Sequence, residues 1–116
     1  MTETQLYSRP DSEQPLEYQI EYVYMRLLEL KRRIQANQRS IEAAEENAKM
    51  EHIEEWTAAK NSDQRQAVLL GALANDADYH DSRAELRNNQ DLYDLYDLEV
   101  KRIKLLLDAR KLKTAD

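Results

Sequence analysis

The chain has 116 residues, with one Gly, two Pro, no Cys, no Phe, 34% charged residues and a formal net charge of −6. That length holds one small domain, and the lack of cysteine excludes disulfides and thiolate metal sites. The acidity disfavours indiscriminate nucleic-acid binding by the whole surface but leaves local basic patches open.

Leu, Ala, Glu, Lys, Arg and Gln dominate the composition, and all are good helix formers. A sheet-rich chain of this size would need more turn residues. No run of about 18 apolar residues occurs, so no membrane span is expected. The first residues, with Glu3 and no apolar core segment, do not read as a secretory signal, and the expected setting is the cytoplasm.

Residues 1–11 read as an N-terminal tail and 12–116 as a helical hairpin domain. Asp11 or Ser12 is the expected cap of helix A (12–60), with Pro15 tolerated in its first turn. Leu16, Ile20, Val23, Leu27, Leu30, Ile34, Asn37, Ile41, Ala44 and Ala48 advance by alternating steps of four and three. That heptad seam packs on another helix. After Ala48 it weakens, and Ile53 and Trp56 continue it loosely.

Lys60-Asn61-Ser62-Asp63 reads as a break, with Asn61 closing helix A in the left-handed conformation and Ser62 or Asp63 capping the next helix. Helix B (63–74) offers Ala67, Val68, Leu70 and Leu73 as its apolar set. Asn75-Asp76-Ala77-Asp78 is a second break, rich in capping residues. Helix C (77–112) repeats the seam through Leu86, Asn89, Tyr93, Tyr96, Val100, Ile103, Leu107 and Arg110. The expected fold is therefore all-α. It is a long antiparallel, coiled-coil-like hairpin with a short helix at its turn. Asn37 and Asn89 interrupt the two seams at comparable distances from the turn and are expected to fix register.

Helix C carries more apolar surface than one partner helix can cover. Leu98, Leu105, Ala109 and Leu112 fall opposite its seam, and Leu92, Leu95 and Leu106 fall between the two faces. At the start of helix A, Tyr18, Tyr22 and Met25 likewise oppose the seam. These surfaces share the open end of the hairpin. The expectation is a homo-oligomer formed there through Tyr18, Tyr22, Met25, Leu95, Leu98, Leu105 and Leu112. The alternative is that Leu6 and Tyr7 of the tail fold over that surface.

Charge follows the same axis. Arg26, Lys31, Arg32, Arg33, Arg39, Lys101, Arg102, Lys104, Arg110, Lys111 and Lys113 place eleven of the seventeen basic residues at the open end. Residues 42–97 hold fourteen acids against five bases, a net of −9. Arg26, Lys31, Arg32, Arg33, Arg39, Lys101, Arg102, Lys104 and Lys111 are the candidate nucleic-acid contacts, with nearby tyrosines available for stacking on bases. The competing reading is a solvated helix face laced with ion pairs. Glu42, Glu45, Glu46, Glu51, Glu54, Glu55, Asp91, Asp94 and Asp97 could dock a basic partner or simply keep the chain soluble.

His52 and His80 do not show the Glu-x-x-His spacing of a bundle di-iron site. Asp76 and His80 sit four apart, but an interface or solvent-facing histidine is the stronger reading, and Trp56 reads as a core plug near the turn. No nucleophile–base arrangement, phosphate loop or dinucleotide fingerprint occurs. No catalytic residue, metal ligand or cofactor is expected.

The stretch Ala58-Ala59-Lys60-Asn61-Ser62-Asp63-Gln64-Arg65-Gln66-Ala67, then Leu73-Ala74-Asn75-Asp76-Ala77-Asp78-Tyr79 and the leucine-rich helix C, carries a resemblance. In outline the chain resembles small helical-hairpin proteins of bacteriophage and mobile-element recombination cassettes, and more broadly recombination mediators of the UvsY type. The resemblance implies an oligomer that binds single-stranded DNA and a recombinase-like partner. The acidity departs from that pattern and suits a second expectation, a phage-type inhibitor or adaptor of host machinery that works by protein contact alone.

Overall fold

A computed structural model describes residues 6–114; residues 1–5 of the expected tail and 115–116 of the expected domain lie outside the described residues. Four helices follow one another: α1 (Leu16–Glu51), α2 (Ile53–Ala58), α3 (Ser62–Leu73) and α4 (Ala77–Thr114). All regular structure among the described residues is helical, and the molecule is a rod of 72 × 31 × 15 Å. α1 and α4 pack side by side along their length, and α3 rests on α1 and α2 at the turn. Arg110 bonds Glu17 near one end and Asn89 bonds Asn37 near the middle, so the two long helices run antiparallel.

Every seam position of α1 from Leu16 to Ala48 is buried or half-buried, and so is every seam position of α4 from Leu86 to Leu107. The heptad spacing thus sets the shared face. Val23, Leu27, Leu30, Leu92, Tyr96, Val100 and Ile103 form the core of the open half. Ala48, Leu69, Leu73 and Tyr79 form a second core at the turn, and Trp56 packs against it. Lys49 lies 4.9 Å above the Trp56 ring. Asn37 and Asn89 form a polar layer between the two cores.

Several boundaries differ from expectation, each for a local reason. α1 begins at Leu16, not at residue 12. Asp11 Oδ1 accepts from the Glu13 amide at 3.0 Å, and the Gln14 amide donates to the Asp11 carbonyl. That turn, together with the bias of a residue preceding proline away from helix, delays the start to just after Pro15. The buried Gln19 side chain then reaches back to the Gln14 carbonyl at 2.7 Å.

The expected helix A breaks at His52, whose φ of −117° and ψ of 34° leave the helical region. This falls where the seam weakens, and the redirected α2 brings Trp56 onto the turn core. Asn61 does not close a helix in the left-handed conformation: its φ is −151°, and no described residue has positive φ. It caps α3 instead: its extended backbone lets Oδ1 accept from the Gln64 amide at 2.9 Å. Gln64 Oε1 in turn accepts from the Lys60 amide at 2.7 Å. Ser62 and Asp63 therefore lie inside the first turn of α3. On that helix Leu69 is buried and Leu70 exposed, because packing against Ala48 and Tyr79 sets its face. Asp76 accepts from the Tyr79 amide at 3.0 Å, capping α4.

Candidate functional site

The open end is where charge, aromatic rings and uncovered apolar surface meet. The described part of the tail, through Tyr7 and Ser8, lies in the groove between α1 and α4. The Ser8 amide donates to the Tyr96 hydroxyl at 3.0 Å, and the Tyr22 hydroxyl donates to the Ser8 carbonyl at 3.2 Å. The Tyr7 and Tyr96 rings meet at 4.8 Å between centroids, tilted by 52°. Pro10 is buried beside them in the chain. The tail thus covers one side of the hairpin through Tyr7, whereas Leu6 remains exposed.

Glu99, unsuspected from the sequence, is the buried charge of this groove. Its carboxylate accepts from Arg102 Nε at 2.9 Å and from Arg102 Nη2, and the Tyr7 hydroxyl approaches it at 3.4 Å. Hydrogen bonding from Arg102 holds the Glu99 carboxyl below the usual carboxylate range, against the opposing pull of burial. Burial and the neighbouring Glu99 charge push the Tyr7 hydroxyl up. The spacing Glu99 to Arg102 was visible as a helical i,i+3 pair, but the tail that buries it had no periodic signal.

The seven apolar residues singled out from the sequence divide into two groups. Tyr22 is half-buried under the tail, its ring 5.4 Å from the Arg26 guanidinium. It belongs to the molecule's own packing and does not stand on the outer surface. Tyr18, Met25, Leu95, Leu98, Leu105 and Leu112 are exposed, and Leu28 joins them. One hairpin therefore leaves an apolar outer face on each long helix.

The basic candidates also divide. Arg26 pairs with Glu29 at 3.3 Å, Lys101 with Asp97 at 3.2 Å, and Arg102 with Glu99. Arg33 and Lys111 are exposed and also have partners. Lys31, Arg32, Arg39 and Lys104 are exposed and make no ion pair among the described residues. At 100° per residue, Lys31, Arg32 and Arg33 point in successive directions, while Arg32 and Arg39, seven apart, share the outer face of α1. The cations are concentrated along the rod but fanned around it.

At the turn, a cleft of about 420 Å³ is lined partly by Ser40, Asn47, Glu51, Asp76 and Asp78. The His80 ring lies 3.1 Å from the Ala74 carbonyl, and the His52 ring lies 2.7 Å from Glu55. No group of three His, Cys, Asp or Glu side chains among the described residues could hold a metal. No helix among them is long and apolar enough to cross a membrane.

Comparison with protein-family models, with curated proteins and with solved structures finds no match for this chain.

Proposed function

We propose that this chain is a non-catalytic, self-assembling accessory protein of phage-type DNA recombination or replication, working in the cytoplasm. Its open end joins copies through exposed apolar faces and holds single-stranded DNA through the cations beside them. The recombinase-like partner meets the acidic half. The observation that carries this reading is the meeting, on the open half of the rod, of bare Leu98, Leu105, Tyr18 and Met25 with exposed Lys31, Arg32 and Lys104; Arg39 lies just beyond the Asn37–Asn89 layer, on the turn side. Cations that are not already neutralised can release counterions from a phosphate chain, and Tyr18 and Tyr24 are exposed among them for stacking. A labelled oligonucleotide titrated with the full chain should bind at low ionic strength and let go as salt rises. Binding that is absent at low salt overturns the DNA assignment.

A second reading has its own support. Glu42, Glu46, Glu51, Glu54, Glu55, Asp91 and Asp94 are exposed, and only Glu45 and Asp97 of the acidic candidates are half-buried. An acidic half of this kind suits an adaptor or inhibitor of host machinery that acts on a basic protein surface alone. Stoichiometric capture of one protein from bacterial lysate after nuclease treatment, with no oligonucleotide binding, would favour it over the first.

A further inference from the structure

The outer face of α4 has a pattern of its own. Leu95, Leu98, Arg102, Leu105, Ala109 and Leu112 follow one another at steps of three and four, and all are exposed. This is a second heptad seam, roughly opposite the one that packs on α1. Leu98, Leu105 and Leu112 repeat at one heptad position, with Leu95, Arg102 and Ala109 at the other. Arg102 does not spoil the seam, because its guanidinium is turned aside onto Glu99. Its aliphatic stem remains to cover apolar surface.

We infer that this face docks the same face of a second copy, α4 against α4 and antiparallel, giving a closed two-fold dimer. This rests on the self-assembly reading above and specifies its site and geometry. Area is the first argument. Leu98, Leu105 and Leu112 are 61%, 71% and 73% exposed. With Leu95, Leu106 and the Arg102 stem they would remove on the order of 500 Å² per copy from water. The pair would then bury about 1,000 Å², the lower end of the range for a biological interface and the size of a weak dimer contact.

Charge favours one direction of pairing. In an antiparallel register centred between Ile103 and Lys104, Leu95 meets the second copy's Leu112, Leu98 meets Ala109, and Arg102 meets Leu105. The flanking Lys101 of each copy then faces Asp108 of the other, so two opposite-charge pairs form. The bond of Lys101 to Asp97 within its own helix is exposed and weak, so it does not hold Lys101 away. A parallel pairing would instead set Lys101 against Leu106 of the second copy and leave only Asp108 against Lys113, near the helix end. An isologous contact also closes on itself at two copies, whereas α1 docking onto α4 of the next copy would continue into a ring or a fibre.

The test uses the full chain at concentrations on the order of 100 μM, where even a weak contact populates the complex. Light scattering should give a dimer mass. The double change Leu98→Asp, Leu105→Asp should give monomers with unchanged helical circular dichroism, since both side chains are on the surface. Lys101→Asp and Asp108→Lys should each weaken the homodimer about five- to tenfold, by turning two attractive pairs repulsive. Mixing those two variants should restore a dimer of wild-type strength, because the mixed pair has both contacts attractive. A monomeric wild type would overturn self-assembly itself. An oligomer that survives the double leucine change would overturn the α4 site while leaving self-assembly standing. Dissociation by that change without partner exchange between the charge variants would overturn the antiparallel register. A mass above the dimer that Met25→Asp abolishes would replace the closed pair with growth through α1.

Discussion

Asn89 donates its Nδ2 to Oδ1 of Asn37 at 2.9 Å across the middle of the hairpin, and Asn37 donates onward to Glu85 at 3.1 Å. Both amides are buried, and they lie between two apolar cores that would otherwise merge. A slip of either helix would strand one amide against hydrocarbon, so the pair fixes register.

Asn37→Ala should therefore cost about 1–3 kcal/mol, the penalty of leaving the buried Asn89 amide without its acceptor. Asn37→Leu combined with Asn89→Leu should recover most of that loss, because both polar partners leave together. Chemical denaturation of the three proteins checks this. If the double variant is as damaged as the single one, the pair's role is not one of mutual satisfaction.

The tail acts as a strap across the groove. Tyr7→Ala removes the ring from Tyr96 and the hydroxyl from Glu99. It should lower stability by about 1–2 kcal/mol, since an aromatic pair adds roughly 0.5–1.5 kcal/mol to the area it covers. It should also speed hydrogen exchange at the Ser8 amide, which donates to the Tyr96 hydroxyl in the docked tail, read under native conditions.

Acid should weaken the open end through Glu99. Its carboxyl titrates below its ordinary value in the folded chain, chiefly through Arg102. The stabilisation is thus fully present above the unfolded value of about 4.3 and fades as pH falls through the lower folded value. Melting temperature should stay level on this account near neutrality and drop below about pH 4. Glu99→Gln should start lower at pH 7 and lose less on acidification. Parallel curves for the two proteins would remove Glu99 from the explanation.

Gly71 lies on the exposed side of α3, and a Cβ built there meets nothing within 4 Å. Its backbone is not in the positive-φ region. Gly71→Ala should therefore stabilise the chain by about 0.5–1 kcal/mol, through lower entropy of the unfolded state and better helix propensity. Thermal melts at equal concentration would show a higher midpoint, with the gain largest in hydrogen exchange of α3 amides.

The long helices and their shared face were legible because a four–three spacing over thirty residues leaves one way to bury both stripes. Val23, Leu30, Val100 and Ile103 fall where that spacing puts them. Leu69 and Asn61 were misread because α3 is short: over twelve residues the period is weak and contacts with Ala48 and Tyr79 decide the face. The docked tail is only one of two readings the sequence allows, since a segment without periodicity gives no hint of its groove. Buried Glu99 and Gln19 stayed hidden for the same reason: each depends on neighbours whose placement follows from the tail and the turn before Pro15. For the candidate site, residue type and polarity along the rod were readable, but which cations were already matched required the ion pairs themselves.

The separation of charge along the rod acquires a different meaning once α4 meets α4. Alone, the molecule is an axial dipole, with positive charge gathered toward one tip. A head-overlapping pair would superimpose the two positive tips and send the negative ones outward, producing a slender particle on the order of 110 Å from end to end. Its field would be quadrupolar, attracting polyanions to the waist and basic surfaces to the extremities at once. Two unlike ligands could then ride on one particle without competing for the same ground.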